Sequence, residues 1–265
     1  AGLFHARHAA FEGRSIPAGD ANPACRRCRQ AMGYAGRLFV RELCLPMRQD
    51  PFAVSSVPPM IKWLLIANGL GFLFLLYAQE PAMQYFALWP FGDYPVRTSA
   101  GTGSVGFEVW QLLSYGFLHG SFGHLFFNMF GLWMFGRVIE QVWGGQRFLL
   151  FYLVCVVGAG ITQVFTLALL SPGEVVPTVG ASGGLFGVLL AFGMMFPNAR
   201  VMLLIPPIPM TAKWLVIGYG ALELFFGVTG TQAGVAHFAH LGGMAFGFGL
   251  IMYWRKQGGG RGPMA

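Results

Sequence analysis

Residues 148–170 read FLLFYLVCVVGAGITQVFTLALL, twenty-three positions without one charged side chain. About 20 apolar residues suffice for a helix to cross the hydrocarbon core of a bilayer. Lipid offers the backbone no hydrogen-bond partner, so only helices and closed barrels can span it, and barrel strands would show as short alternating segments. Working outward from this run, similar stretches recur at 61–78, 118–139, 182–196, 214–228 and 236–254, which makes six. Pro197-Asn198 after the fourth and Thr229-Gly230 after the fifth act as stop signals. The whole chain agrees, for 55% of its 265 residues are hydrophobic and 10% are charged, against about 25% charged in a soluble domain. The expected fold is an all-α membrane protein, a bundle of six transmembrane helices.

Lys and Arg collect in cytoplasmic connections. Sixteen of the seventeen fall in the N-terminal flank from Arg7 to Lys62, in the second-to-third and fourth-to-fifth connections (Arg137, Arg147, Arg200, Lys213) and in the tail. Only Arg97 lies in an opposite connection. Both termini are therefore expected in the cytoplasm, and the first, third and fifth connections outside. The net charge of +7 follows from this topology; a nucleic-acid partner is not called for.

Residues 1–59 are Arg-rich and hold no apolar run of signal-peptide length. They are expected to be a disordered cytoplasmic segment, or an over-extended start ahead of Met60. The working domain is then 60–254, with a flexible tail at 255–265. Cys25, Cys28, Cys44, His5 and His8 are metal-ligating residue types, but a zinc site shows two well-spaced pairs. No metal or cofactor is expected. Cys155, inside the third span, reads as a small core residue.

The fourth span opens Val179-Gly180-Ala181-Ser182-Gly183-Gly184-Leu185-Phe186-Gly187. Gly183 and Gly187, at GxxxG spacing, suit the close approach of another helix; Ser182 is then either a cap or a nucleophile at a helix start. The sixth span carries His237 and His240, with a second small-residue seam at Gly243 and Gly247. A serine on one seam facing a histidine on the other meets the need of a nucleophile for a base within hydrogen-bond reach. In the second span His124 and Asn128 are four apart and share a helical face. They either pair locally or supply N–H donors to an oxyanion. All four residues lie in the first turns of spans that begin on the outer side, so they share one depth, where water can reach.

Together these stretches resemble the motifs of the rhomboid family of intramembrane serine proteases. Gly180-Ala181-Ser182-Gly183 is similar to its GxSG motif, and Ala239-His240-Leu241-Gly242-Gly243 to the motif that carries its histidine. The stretch from His119 to Asn128 resembles its paired-histidine and Asn segment, and Gly136-x-x-x-Glu140 its second-span ending. The resemblance covers about residues 60–254. It implies a serine-type endopeptidase with a Ser182–His240 dyad lacking a carboxylate third member. It further implies His124, Asn128 and the Ser182 backbone N–H as oxyanion donors, with His119, Phe186 and His237 in support. Residues 79–117 become a structured first loop partly in the outer leaflet, which suits Tyr85, Phe86, Trp89, Phe91 and Trp110. The implied substrates are single-pass transmembrane proteins within the bilayer, cut beside small and helix-breaking residues. The implied location is a bacterial plasma membrane with the site towards the outside. Two departures stand out: Trp110-Gln111 where the family often has Trp-Arg, and Phe186 where some members have Tyr.

Either His237 or His240 could be the base. At 100° per residue Gly247 lies about 20° and Gly243 about 60° to one side of His240, whereas His237 is about 60° the other way and about 4.5 Å nearer the surface. His240 is thus expected to face Ser182, and His237 to be satisfied by water. Glu223, the one carboxylate well inside the fifth span, is expected to hydrogen-bond within the bundle; a transport role would call for a second intramembrane acid. Pro206, Pro207 and Pro209 argue against a helix in the connection they occupy.

Overall fold

A computed structural model describes residues 57–99, 101–203, 207–230 and 236–257. The expectations for residues 1–56, including Cys25, Cys28, Cys44, His5 and His8, and for most of the tail lie outside the described residues. Each of the six apolar stretches carries helix. The first is α1 (Pro59–Tyr77), and the second is a rod of α4 (Phe122–Gly131), a π-helical turn (Leu132–Gly136) and α5 (Arg137–Trp143). The others are α6 (Gly145–Leu170), α7 (Ser182–Met195), α8 (Ala212–Thr229) and α9 (His237–Gln257). Among the described residues, Pro59–Tyr77, Gly145–Leu170 and Ala212–Thr229 are long and apolar enough to cross a membrane, and Ser182–Met195 is a shorter apolar helix. Large apolar side chains also cover the exterior: Leu70, Leu73, Phe122, Leu169 and Val228 are all well exposed. Water would penalise such a surface, so its natural surrounding is lipid. The protein is an integral membrane protein.

Glycine decides how closely the helices pack. α9 lies against α6 and α7, and the backbones of Gly183 and Gly243 touch, so that a Cβ on Gly243 would collide with the Gly183 carbonyl. Gly187 and Gly247 both meet the Cys155 thiol on α6. Cys155 is fully buried at this three-helix junction. At the other end of the molecule Glu140 accepts the Met60 N–H at 2.9 Å and the Ile61 N–H at 2.8 Å. These are unpartnered donors of the first turn of α1, and the carboxylate also meets the positive end of the helix dipole. Gly136, one turn earlier, makes room for Ile61.

The connections hold two features that the all-α expectation misses. In the first, α2 (Gln79–Phe86) is followed by an antiparallel ribbon of β1 (Tyr94–Thr98) and β2 (Gly101–Val105), then by α3 (Gln111–Ser114) and a 3-10 turn, Tyr115–Phe117. In the fourth, β3 (Arg200–Met202) pairs with β4 (Pro209–Thr211). Backbone outside a helix still needs partners, and a two-stranded ribbon provides them while tolerating Pro95 and Pro209 on its edges. The Ser99 side chain and N–H both donate to Glu80, which holds that exposed carboxyl below its ordinary range.

Gln111 explains how the first loop manages without an arginine after Trp110. Its Oε1 accepts the N–H groups of Trp89 and Glu108 at 3.2 and 3.1 Å, and its Nε2 donates to the Gly106 carbonyl at 3.2 Å. A buried amide that closes three hydrogen bonds fixes the loop's return without a charge.

Candidate active site

Ser182 is the first residue of α7, and the chain reaches it along residues that are pinned on both sides. Leu88 and Thr178 exchange backbone hydrogen bonds of 3.0 and 2.8 Å, and the Gly180 N–H donates to the Tyr115 carbonyl at 2.9 Å. The Tyr115 hydroxyl in turn donates to the Val156 carbonyl at 2.7 Å. Burial pushes that phenol well above its ordinary range, so it stays a neutral donor. Gly180 has φ 132°, and a Cβ there would come within 2.8 Å of the His124 ring. Only glycine suits this position, for conformation and for space.

The Ser182 hydroxyl and His240 Nε2 are 2.7 Å apart. Phe186, one turn along α7, lies parallel to the His240 ring with centroids 4.3 Å apart and planes 5° from coplanar. Tyr219 meets Phe186 edge-on. The imidazole is therefore held by its partner on one edge and a ring on one face. Both residues open into a cavity of about 520 Å³ that His124, Gln163, Glu174 and Gly180 also line. Its wall is polar enough to hold water, which hydrolysis consumes.

His124 sits at the start of α4, where the Ser121 side chain caps the helix by accepting the His124 N–H at 3.1 Å. Its ring packs edge-on against His119. His119 is fully buried, and its Nε2 accepts the Ala181 N–H at 3.5 Å, behind the serine. Asn128 stands apart from this group. Its Nδ2 donates to the His124 carbonyl at 2.9 Å, and its side chain lines a neighbouring apolar cavity of about 290 Å³ beside Leu185, Phe186 and Tyr219. One amide hydrogen is left to offer elsewhere.

His237 departs from expectation. Instead of facing water it is buried, with its Nδ1 2.7 Å from Glu223 Oε2. That same oxygen is 2.9 Å from Nδ1 of His240, a close contact off the axis of an aligned hydrogen bond. Sequence reasoning puts Glu223 inside the bundle but does not connect it with His240. The two lie on different helices, and no local pattern signals the contact. Donor atoms of Glu223, His237 and His240 fall within 4.8 Å of one another. They are engaged with each other at hydrogen-bond distances, and we assign no ion to them.

With a serine, a histidine and a polar cavity in place among apolar helices, comparison with known proteins supplies the class. The Rhomboid domain model matches residues 106–257, more than half of the chain. The protein belongs to the rhomboid family. Among its relatives are Rhomboid protease GluP of Bacillus subtilis, 35% identical over 190 residues (72% of this chain and 34% of that protein), and Rhomboid protein 1, mitochondrial, of Saccharomyces cerevisiae, 31% identical over 137 residues (52% and 39%). Rhomboid protease GlpG of Yersinia pestis is 24% identical over 207 residues (78% and 66%). The chain spans a third to a half of the length of the first two relatives.

Proposed function

We propose that this chain is an intramembrane serine endopeptidase that hydrolyses peptide bonds in or near the transmembrane helices of membrane-protein substrates, with Ser182 as nucleophile and His240 as base. The observation that carries the reading is the 2.7 Å contact between the two at a polar cavity inside an apolar bundle. A substrate segment enters sideways and unwinds. The Ser182 oxygen attacks the carbonyl carbon while its proton passes to His240 Nε2; the imidazolium then protonates the leaving amine, and water releases the acyl group by the reverse transfer. The unpartnered first-turn amides of α7 and the His124 ring are the nearest donors for the oxyanion, and Asn128 contributes its remaining amide hydrogen.

Six spans, both termini in the cytoplasm and a working domain of 60–254 complete the proposal. α7 supports it, since its 14 residues measure about 21 Å, shorter than a hydrocarbon core of about 30 Å. A helix that short starts below the surface, which recesses Ser182 while the cavity admits water. The apolar cavity beside Phe186 offers an unwound segment a route to the serine. We assign the protein to a bacterial plasma membrane, with the site towards the outer face. Because some relatives are mitochondrial, fractionation of the source cell decides the compartment.

The test is cleavage of a single-pass substrate in proteoliposomes. Wild-type protein should cut it, and Ser182→Ala should not, while remaining folded and inserted because alanine fits the small-residue seam. Full activity in the purified variant would overturn the assignment.

A further inference from the structure

We propose that Glu223 is a positioning residue for His240, making the site a Ser182–His240–Glu223 triad whose carboxylate is anchored by His237. This rests on the protease reading above and adds a member to it. Glu223 is buried on α8, with Oε2 at 2.9 Å from His240 Nδ1 and 2.7 Å from His237 Nδ1. His240 Nε2 is on Ser182. One imidazole thus lies between a hydroxyl and a carboxylate, each on a different nitrogen and each from a different helix.

That placement fixes chemistry at both ring nitrogens. A neutral imidazole carries one proton; a carboxylate at Nδ1 favours the tautomer with the proton there and leaves the Nε2 lone pair directed at Ser182. When Ser182 attacks, its proton goes to Nε2, and the ring becomes a cation with Nδ1–H already beside an anion. Glu223 stays ionised throughout. The contact is shared, because His237 holds the same oxygen. A small turn of the His240 ring would align Nδ1–H with it as the positive charge develops.

Other groups face the His240 ring too. His124 comes from α4 with His119 behind it, and Glu174 lines the same cavity from the connection after α6. α6 presents Gln163 and the buried Cys155, and α7 presents Ser182 and Phe186. Among the described residues Glu223 is the carboxylate in contact with the ring.

The test compares the full chain with Glu223→Gln in two pH profiles, substrate cleavage and labelling of Ser182 by a fluorophosphonate, both on monodisperse protein. Removing the anion destabilises the imidazolium, which lowers the pKa of His240. The acid limb of both profiles should therefore move down by about one pH unit while the plateau falls about 100-fold. A structural role alone would reduce the yield of folded protein and leave the limb in place; an unmoved limb would overturn the proposal.

If Glu223→Gln does not fold, the wild type still decides the matter by proton NMR. A far-downfield imidazole N–H that disappears in His240→Ala and persists in His237→Ala supports the triad, and no such resonance overturns it. A wild type that neither cleaves nor labels would sink the protease reading, and the triad with it. A reactive wild type beside a Glu223→Gln variant with an unmoved limb would sink the triad alone.

Discussion

Ser182 meets His240 before any substrate arrives, so the cost of orienting the pair is met by folding, and single substitutions at the site should act on rate. His240→Ala should eliminate both cleavage and fluorophosphonate labelling, whereas His237→Ala should keep a measurable fraction, because its contact is to Glu223 and not to the serine. The opposite result would make His237 the base. His124→Ala should lower kcat by roughly the hundred- to thousandfold expected for a lost oxyanion donor; a change confined to KM would move it out of that role. Asn128→Ala should cost less than His124→Ala in the same assay, since its amide already bonds the His124 carbonyl.

Elements carry the site because glycine lets them touch. Gly243→Ala would set a methyl group on the Gly183 carbonyl, and overpacking of that kind costs roughly 1–3 kcal/mol. Unfolding midpoint and activity should fall together, in contrast to Ser182→Ala, which should lose activity alone; an unchanged midpoint would show that α7 and α9 can separate freely. Much at this scale is legible in sequence. The apolar runs give the helices to within a few residues, and the two GxxxG spacings mark faces that do meet, because both signals are local and repeat with the helical period. The ribbons at 94–105 and 200–211 are not legible, since their pairing depends on connections that carry no periodicity. Nor is the Gln111 clasp, whose partners lie as far away as Trp89. The contact of Glu223 with His240 has the same cause: neighbours on separate helices leave no spacing to read.

For the molecule as a whole, every residue of the candidate site, and the carboxylate cap on α1, lies between Met60 and Gln257. A chain begun at Met60 should therefore insert and cleave, as judged by protease protection and the proteoliposome assay. Inactivity despite normal insertion would give residues 1–59 a function. The π-helical turn at Leu132–Gly136 constrains the second rod in a different way. It accommodates one extra residue between a half that carries His124 and Asn128 and a half that carries Glu140. Removing one residue there would restore a plain α-helix and swing one half about 100° around the axis relative to the other. Either the donor face would leave the serine or the carboxylate would leave α1. Over those five positions natural selection is free to exchange side chains but not to change their number, so relatives should vary there by substitution and never by insertion or deletion.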